Sequence, residues 1–144
     1  PKVLVTALAL CIAIFVRGSS ATVGYEVWVW TSDVWWAGTD ANVFVILYGH
    51  TGTSGSLILD SPINDFERGS VGAYSMDTGV DYGVITKIRI GHDNAGNSAG
   101  WKFAMAQVTD RQSGTVTTFT CDCWVENSPY YVEPLAIEVN GVWS

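Results

Sequence analysis

Trp35-Trp36-Ala37-Gly38-Thr39-Asp40-Ala41-Asn42 sets two adjacent tryptophans directly against a run of glycine, hydroxyl, carboxylate and amide groups. Large aromatics belong in a core or at a greasy surface, whereas carboxylates and the carbonyls of a glycine-containing turn suit a hard cation. Both chemistries in one turn mark a boundary between water and an apolar phase. The turn falls between two segments that read as strands, Tyr25–Thr31 and Val43–Tyr48, so it is a loop at one end of a β structure.

Outward from this loop the pattern stays β. Runs rich in Val, Ile, Thr and aromatics predict strands at Ser56–Leu59, Val71–Met76, Ile85–Ile90, Lys102–Thr109, Thr115–Trp124 and Leu135–Val139, eight in all with the first two. Gly, Asp, Asn and Ser separate them, and Asp110-Arg111-Gln112-Ser113-Gly114 reads as a hairpin loop. In the first strand Tyr25, Val27 and Val29 alternate with Glu26, Trp28 and Trp30, so Trp28 and Trp30 share one face, either in a core or on an extra contact surface.

Three further blocks follow the tryptophan turn: Asn64-Asp65-Phe66-Glu67-Arg68-Gly69, Lys87-Ile88-Arg89-Ile90-Gly91-His92-Asp93-Asn94 and Gly100-Trp101. Together the four blocks resemble the PLAT domain, also called LH2, the lipoxygenase-homology module of lipoxygenases, lipases, polycystins and clostridial alpha-toxin. The match is closest to the tandem repeats of lipoxygenase-homology-domain proteins. The resemblance implies an all-β, C2-like sandwich of eight antiparallel strands in two four-stranded sheets. It implies calcium as well, held by Gly38, Thr39 and Asp40 of one loop and Asn64, Asp65 and Glu67 of a second lying beside it. Asp60 matches a family carboxylate that serves a second ion, while Thr53 stands where the family often carries Asp. By the same resemblance Trp35 and Trp36 are the membrane-docking residues, and Trp101 and Trp124 hold core positions. Read from the residues alone, the two carboxylate loops equally fit a purely structural role, with Asp accepting turn N–H bonds and Glu67 pairing with Arg68.

Lys2, the apolar run Val3–Val16 and the small residues Ser19 and Ala21 read as a secretory signal peptide over 1–21, shorter than the roughly 20 apolar residues of a membrane span. Residues 22–144 are then one PLAT domain with its core over 25–125, secreted to the extracellular space. Of the 7 basic residues Lys2 and Arg17 fall in the leader and none of the 14 acidic ones does, so the remainder carries a net charge of −9. That charge excludes nucleic acid, whose binding rests on Lys and Arg neutralising phosphates. It also opposes anionic lipid unless a cation intervenes.

Cys121 and Cys123 sit one residue apart on a predicted strand, on one face and poorly placed to pair with each other without distortion, so buried free thiols are expected, with an intermolecular disulfide or a soft-metal pair as the alternatives. No nucleophile elbow or His-Glu-x-x-His occurs, and His92 reads as a loop hydrogen-bonding group. The expected function is non-catalytic and probes a membrane lipid surface or a protein ligand with calcium. Two other readings stand beside it: the amino-terminal targeting module of a truncated lipid-metabolising enzyme, and an extracellular matrix or structural protein.

Overall fold

Alternation is strictest in Tyr25–Thr31, and that strand is paired on both sides within one sheet. The computed structural model describes residues 22–96, 100–126 and 136–144. Its strands are β1 (Tyr25–Thr31), β2 (Val43–Gly49), β3 (Gly52–Thr53), β4 (Leu57–Leu59), β5 (Val71–Met76), β6 (Ile85–His92), β7 (Trp101–Asp110), β8 (Val116–Val125), β9 (Ala136–Asn140) and β10 (Val142–Trp143). They form two antiparallel sheets, one ordered β10-β8-β7-β1-β5 and the other β3-β2-β6-β9 with β4 also paired to β2. Eight of the ten coincide with the expected strands. The two additions are two-residue strands, β3 folding back on Tyr48–Gly49 and β10 lying against Thr117–Thr118, too short to show any alternation. Without them each sheet has four strands, as expected. The expected leader over 1–21 and the residue Leu135 lie outside the described residues.

The core lies between the sheets. Val27 and Val29 of β1, Phe103 and Val108 of β7 and Phe119 of β8 face Val43, Val45 and Leu47 of β2 and Ile88 and Ile90 of β6. Burying each such side chain contributes about 1.5–3 kcal/mol. Trp101 is wholly buried, as expected, and its indole N–H donates to Thr31 Oγ1 at 3.0 Å. Trp124 departs from expectation. Phe119 and Val125 point inward, so strand alternation turns Trp124 to the outer face, where it is half-buried. Trp28 and Trp30 also lie on an outer face, stacked with ring centroids 6.2 Å apart, and Trp28 stays 44% exposed.

Three adjacent strands lose register at one level. Trp30 to Thr31 is a single step on β1, its partners Met105 to Phe103 are two steps apart on β7, and their partners Thr120 to Cys123 are three apart on β8. This fan of bulges bends the sheet beneath the tryptophan turn. It also corrects the expectation of free thiols. With Asp122 at φ 54°, the chain doubles back enough to bring the Cα atoms of Cys121 and Cys123 to 5.3 Å, and the two form a disulfide. The geometric objection to pairing holds for an unbroken strand, and this strand is broken at that point.

Candidate functional site

The tryptophan turn is built on a pinned stem. As the chain leaves β1, the Ser32 N–H donates to Lys102 O at 3.0 Å and the Ser32 carbonyl accepts from Gly69 N at 3.2 Å. Lys102 N donates to Ala37 O at 2.9 Å, tying the far side of the loop to β7. Between these anchors Ala37 N donates to Val34 O at 3.2 Å, closing a tight turn with the two tryptophans at its apex. Trp36 adopts φ 67°, a left-handed conformation that bulky residues avoid at a cost of about 1–3 kcal/mol. Neither indole folds back on the sandwich: Trp35 is 76% and Trp36 83% exposed. The Arg68 guanidinium lies 4.6 Å from the centroid of the Trp35 ring while its Nε donates to Asp33 Oδ1 at 2.9 Å, bracing the turn from the neighbouring loop.

The two loops singled out in the sequence do lie side by side. Thr39 N donates to Phe66 O at 3.1 Å, and a Cβ on Gly38 would fall 3.0 Å from Arg68 N and 3.1 Å from Phe66 O, so any larger residue would push the two loops apart by a few tenths of an ångström. Phe66, at φ 60°, drops its ring into the core against Tyr74 and Trp101 and anchors the second loop there. Asp65 is turned inward. Its carboxylate accepts from Ser61 N at 2.9 Å, Ser61 Oγ at 2.6 Å and the Tyr74 hydroxyl at 3.0 Å. Burial, and then the hydrogen bond to Asp65, push the Tyr74 phenol well above its ordinary pKa. Glu67 accepts from Asn64 Nδ2 at 2.8 Å, which leaves the Asn64 amide oxygen unengaged by that contact.

Between the loops lies a cleft of about 210 Å³ lined by Thr39, Asp40, Asp60, Asn64 and Asp65, with Ile58 and Ile63 on its wall. Gly38 stands behind the cleft as the contact between loops, and Glu67 does not line it. Asp65 and Glu67 thus hold the loop together, whereas the exposed Asp40 and Asp60 accept no hydrogen bond among the described residues. Among the described residues no three His, Cys, Asp or Glu side chains gather as a metal group, so a cation here would draw much of its shell from neutral oxygens. Calcium accepts such a shell. Asp40, Asp60, the Asn64 amide oxygen and backbone carbonyls are the donors that fit it.

A third loop closes the same end. The Asp93 carboxylate accepts from Asn42 Nδ2 at 2.6 Å and from the N–H groups of Asn42 and Ala95, both at 3.0 Å. These bonds, the Asn42 amide first, hold its pKa below the ordinary value. His92 is buried beneath, with Nε2 2.6 Å from Val125 O and Nδ1 accepting from Asn94 N at 3.0 Å, the loop-bonding role expected of it. Every Lys and Arg of the described residues is ion-paired: Arg68 with Asp33, Lys87 and Arg89 with Glu138, Lys102 with Asp122, and Arg111 with Glu26 and Asp77. Among the described residues no Lys or Arg side chain is left without an acidic partner to offset Asp40 and Asp60.

Sequence reasoning missed two residues at this end, Val34 at 40% exposure and Ile63 at 73%. Ile63 had a signal. An isoleucine between Pro62 and Asn64 has no strand alternation around it and therefore no face on which to be buried.

A PLAT/LH2 domain family model matches residues 25–136. The chain is similar to lipoxygenase homology domain-containing protein 1 of Mus musculus, 42% identical over 107 residues, which cover 72% of this chain and 5% of that protein. Among solved structures it resembles coral 8R-lipoxygenase, with a TM-score of 0.72 and 28% identity over 82% of this chain and 17% of that one. That enzyme is activated by calcium through a C2-like domain. A calcium-dependent 11R-lipoxygenase superposes with a TM-score of 0.62 at 30% identity, covering 83% of this chain and 17% of that one. The chain therefore spans only a small part of the length of these proteins.

Proposed function

Because this chain belongs to the PLAT/LH2 family, we propose that its loop end is a calcium-assisted docking tip that inserts Trp35 and Trp36 into a lipid surface without catalysing a reaction. The observation that carries the reading is the pair of adjacent indoles held outward on a braced turn, one in a backbone conformation that folding alone disfavours. Val34 beside them and Ile63 across the acidic cleft widen the apolar contact. Burying both tryptophans supplies roughly 3–6 kcal/mol before ordering costs, which is enough for weak, reversible attachment.

Charge makes that attachment conditional. All described Lys and Arg residues have acidic partners and the chain is net acidic, so the tip offers little attraction of its own for anionic headgroups. A calcium ion held by Asp40, Asp60 and the Asn64 amide oxygen would neutralise those two carboxylates between the two apolar prongs and, through its remaining coordination positions, bridge to lipid phosphate. Residues 1–21 act as a signal peptide in this reading, and the domain works in the extracellular space. The stacked Trp28 and Trp30 on the outer sheet face favour a second reading, a matrix or structural protein that assembles through aromatic contacts.

Co-sedimentation with zwitterionic and anionic vesicles, in calcium and in chelator, separates these readings. Calcium-dependent pelleting that Trp35→Ala/Trp36→Ala abolishes is the expected result. Pelleting in neither condition overturns the lipid reading. Concentration-dependent self-association lost in Trp28→Ala/Trp30→Ala would then make assembly the function. A catalytic segment encoded in the same chain would make the domain the targeting module of a lipid-metabolising enzyme.

A further inference from the structure

The Cys121–Cys123 disulfide brackets Asp122, the β8 residue that reaches Ser32 at the base of the tryptophan turn, and we propose that it is a redox latch: a thiol–disulfide exchange site whose reduction unties the stem of that turn. The disulfide spans the widest point of the bulge fan, where β8 takes three steps for the two of β7 and the one of β1. Asp122, between the two cysteines, is held at φ 54°. In an unbroken strand Asp122 would be extended, and its carboxylate would not be aimed by the bulge. In the latched form that carboxylate accepts from Ser32 Oγ at 2.6 Å, and Lys102 Nζ stands 3.7 Å away.

Ser32 is the residue on which the turn stands. It is only 6% exposed and has its N–H on Lys102 O and its carbonyl on Gly69 N, so Asp122 adds a third, charged contact to the stem. The contact joins residues 90 positions apart. The chain of constraint runs from the disulfide to the Asp122 backbone, from its carboxylate to Ser32, and from Ser32 to the indoles. Both cysteines are half-buried at the margin of the core. Of the described residues β10 pairs with β8 only at Thr117 and Thr118, so no described strand covers the outer edge of β8 at the cysteines.

The reductant is a small dithiol. Its first thiolate attacks one sulfur and breaks the Cys121–Cys123 bond, giving a mixed disulfide. Its second thiol then closes on the first and releases the remaining cysteine. Two electrons and two protons pass to the protein, which ends with two thiols, and the reagent ends as a cyclic disulfide. Relieved of the short covalent loop, Asp122 relaxes toward extended backbone and withdraws from Ser32.

The test uses the 144-residue chain with no lipid or calcium present. Peptide mapping reads whether Cys121 and Cys123 are joined, and amide hydrogen exchange reads Ser32–Ala37 before and after dithiol treatment. Expected are a linked pair and exchange in the turn about tenfold faster on reduction, the scale of one lost charge-assisted hydrogen bond. Asp122→Ala keeps the disulfide and exchanges fast in both states, while Cys121→Ser/Cys123→Ser exchanges fast without reductant. Free thiols in the untreated protein, or exchange in the turn indifferent to reduction, overturn the latch. The effect on lipid docking rests on the function proposed above, and vesicle binding tests it separately. A turn that loosens on reduction in a protein that never pellets sinks the docking reading and leaves the latch standing.

Discussion

Trp101 and Trp36 bring the same indole into opposite surroundings at the same end of the sandwich. Trp101 is fully enclosed, has Phe66 and Phe103 rings within 5.5 Å and donates its N–H to Thr31. Trp36 is 83% exposed and sits on a left-handed backbone. The first holds the loop end closed by satisfying every group it carries. The second spends conformational energy to leave its ring unsatisfied. A residue type therefore says little about its role until backbone and neighbours are known, and the two tryptophans respond to mutation in opposite ways.

The largest effect tests the enclosed side. Trp101→Ala is expected to cost about 3–5 kcal/mol, read as a shift in the urea midpoint, because it empties the space around Phe66 and leaves Thr31 without its donor. A loss below about 1 kcal/mol would show that the loop end is not organised around this ring. Asp65 and Asp60 give a sharper contrast at smaller scale. Asp65→Ala strands the Tyr74 hydroxyl and the Ser61 donors and is expected to cost about 2 kcal/mol of stability. Asp60→Asn, by contrast, leaves the urea midpoint within about 0.5 kcal/mol while weakening calcium affinity in titration calorimetry. Equal stability losses in the two variants would merge roles that the structure separates.

Smaller still is the strained apex. Trp36→Gly is expected to raise stability by about 1 kcal/mol, since relief of the left-handed strain exceeds the added entropy of an unfolded glycine. Thermal unfolding checks the sign, and a loss of stability would mean the indole packs after all. The smallest effect is on pH. Ser32 first, and then the nearby Lys102 charge, depress the Asp122 pKa, and Asn42 with its neighbours depresses that of Asp93. Depressed carboxylates stabilise the fold fully above their unfolded pKa near 3.8 and lose that contribution as pH falls through the folded value. Melting temperature in Asp122→Ala should therefore converge on the parent's as pH falls through the depressed folded pKa of Asp122, and a constant gap at all pH values would deny the Ser32 contact its charge.

How much of this was legible depended on whether periodicity carried it. β1 declared itself through alternation, β2, β6 and β7 through runs rich in Val, Ile and aromatics, and the division into two four-stranded sheets came from the family resemblance. β3 and β10 did not, because two residues contain no period. The positions of Gly38 and Thr39 beside Phe66 were legible through family resemblance, whereas the inward turn of Asp65 was not, since its partner Tyr74 is on another strand. The cysteine pair was misjudged for a similar reason. The same-face rule assumes a regular strand, and the bulge that breaks it is visible only once β8 is laid in register against β7 and β7 against β1. Ile63 lies in a loop otherwise dominated by polar groups, and its lack of any periodic neighbour is the one sign in the sequence of its exposure.

To a chain selected for folding alone, position 36 is a standing invitation to drift. Its backbone favours glycine or asparagine, and its ring shields nothing behind it. A library passed through rounds of selection for soluble expression only should therefore empty this position of tryptophan early, while Trp101 persists. Repeating the selection with capture on vesicles would show whether the indole returns, turning one dihedral angle into a record of what the surface is kept for.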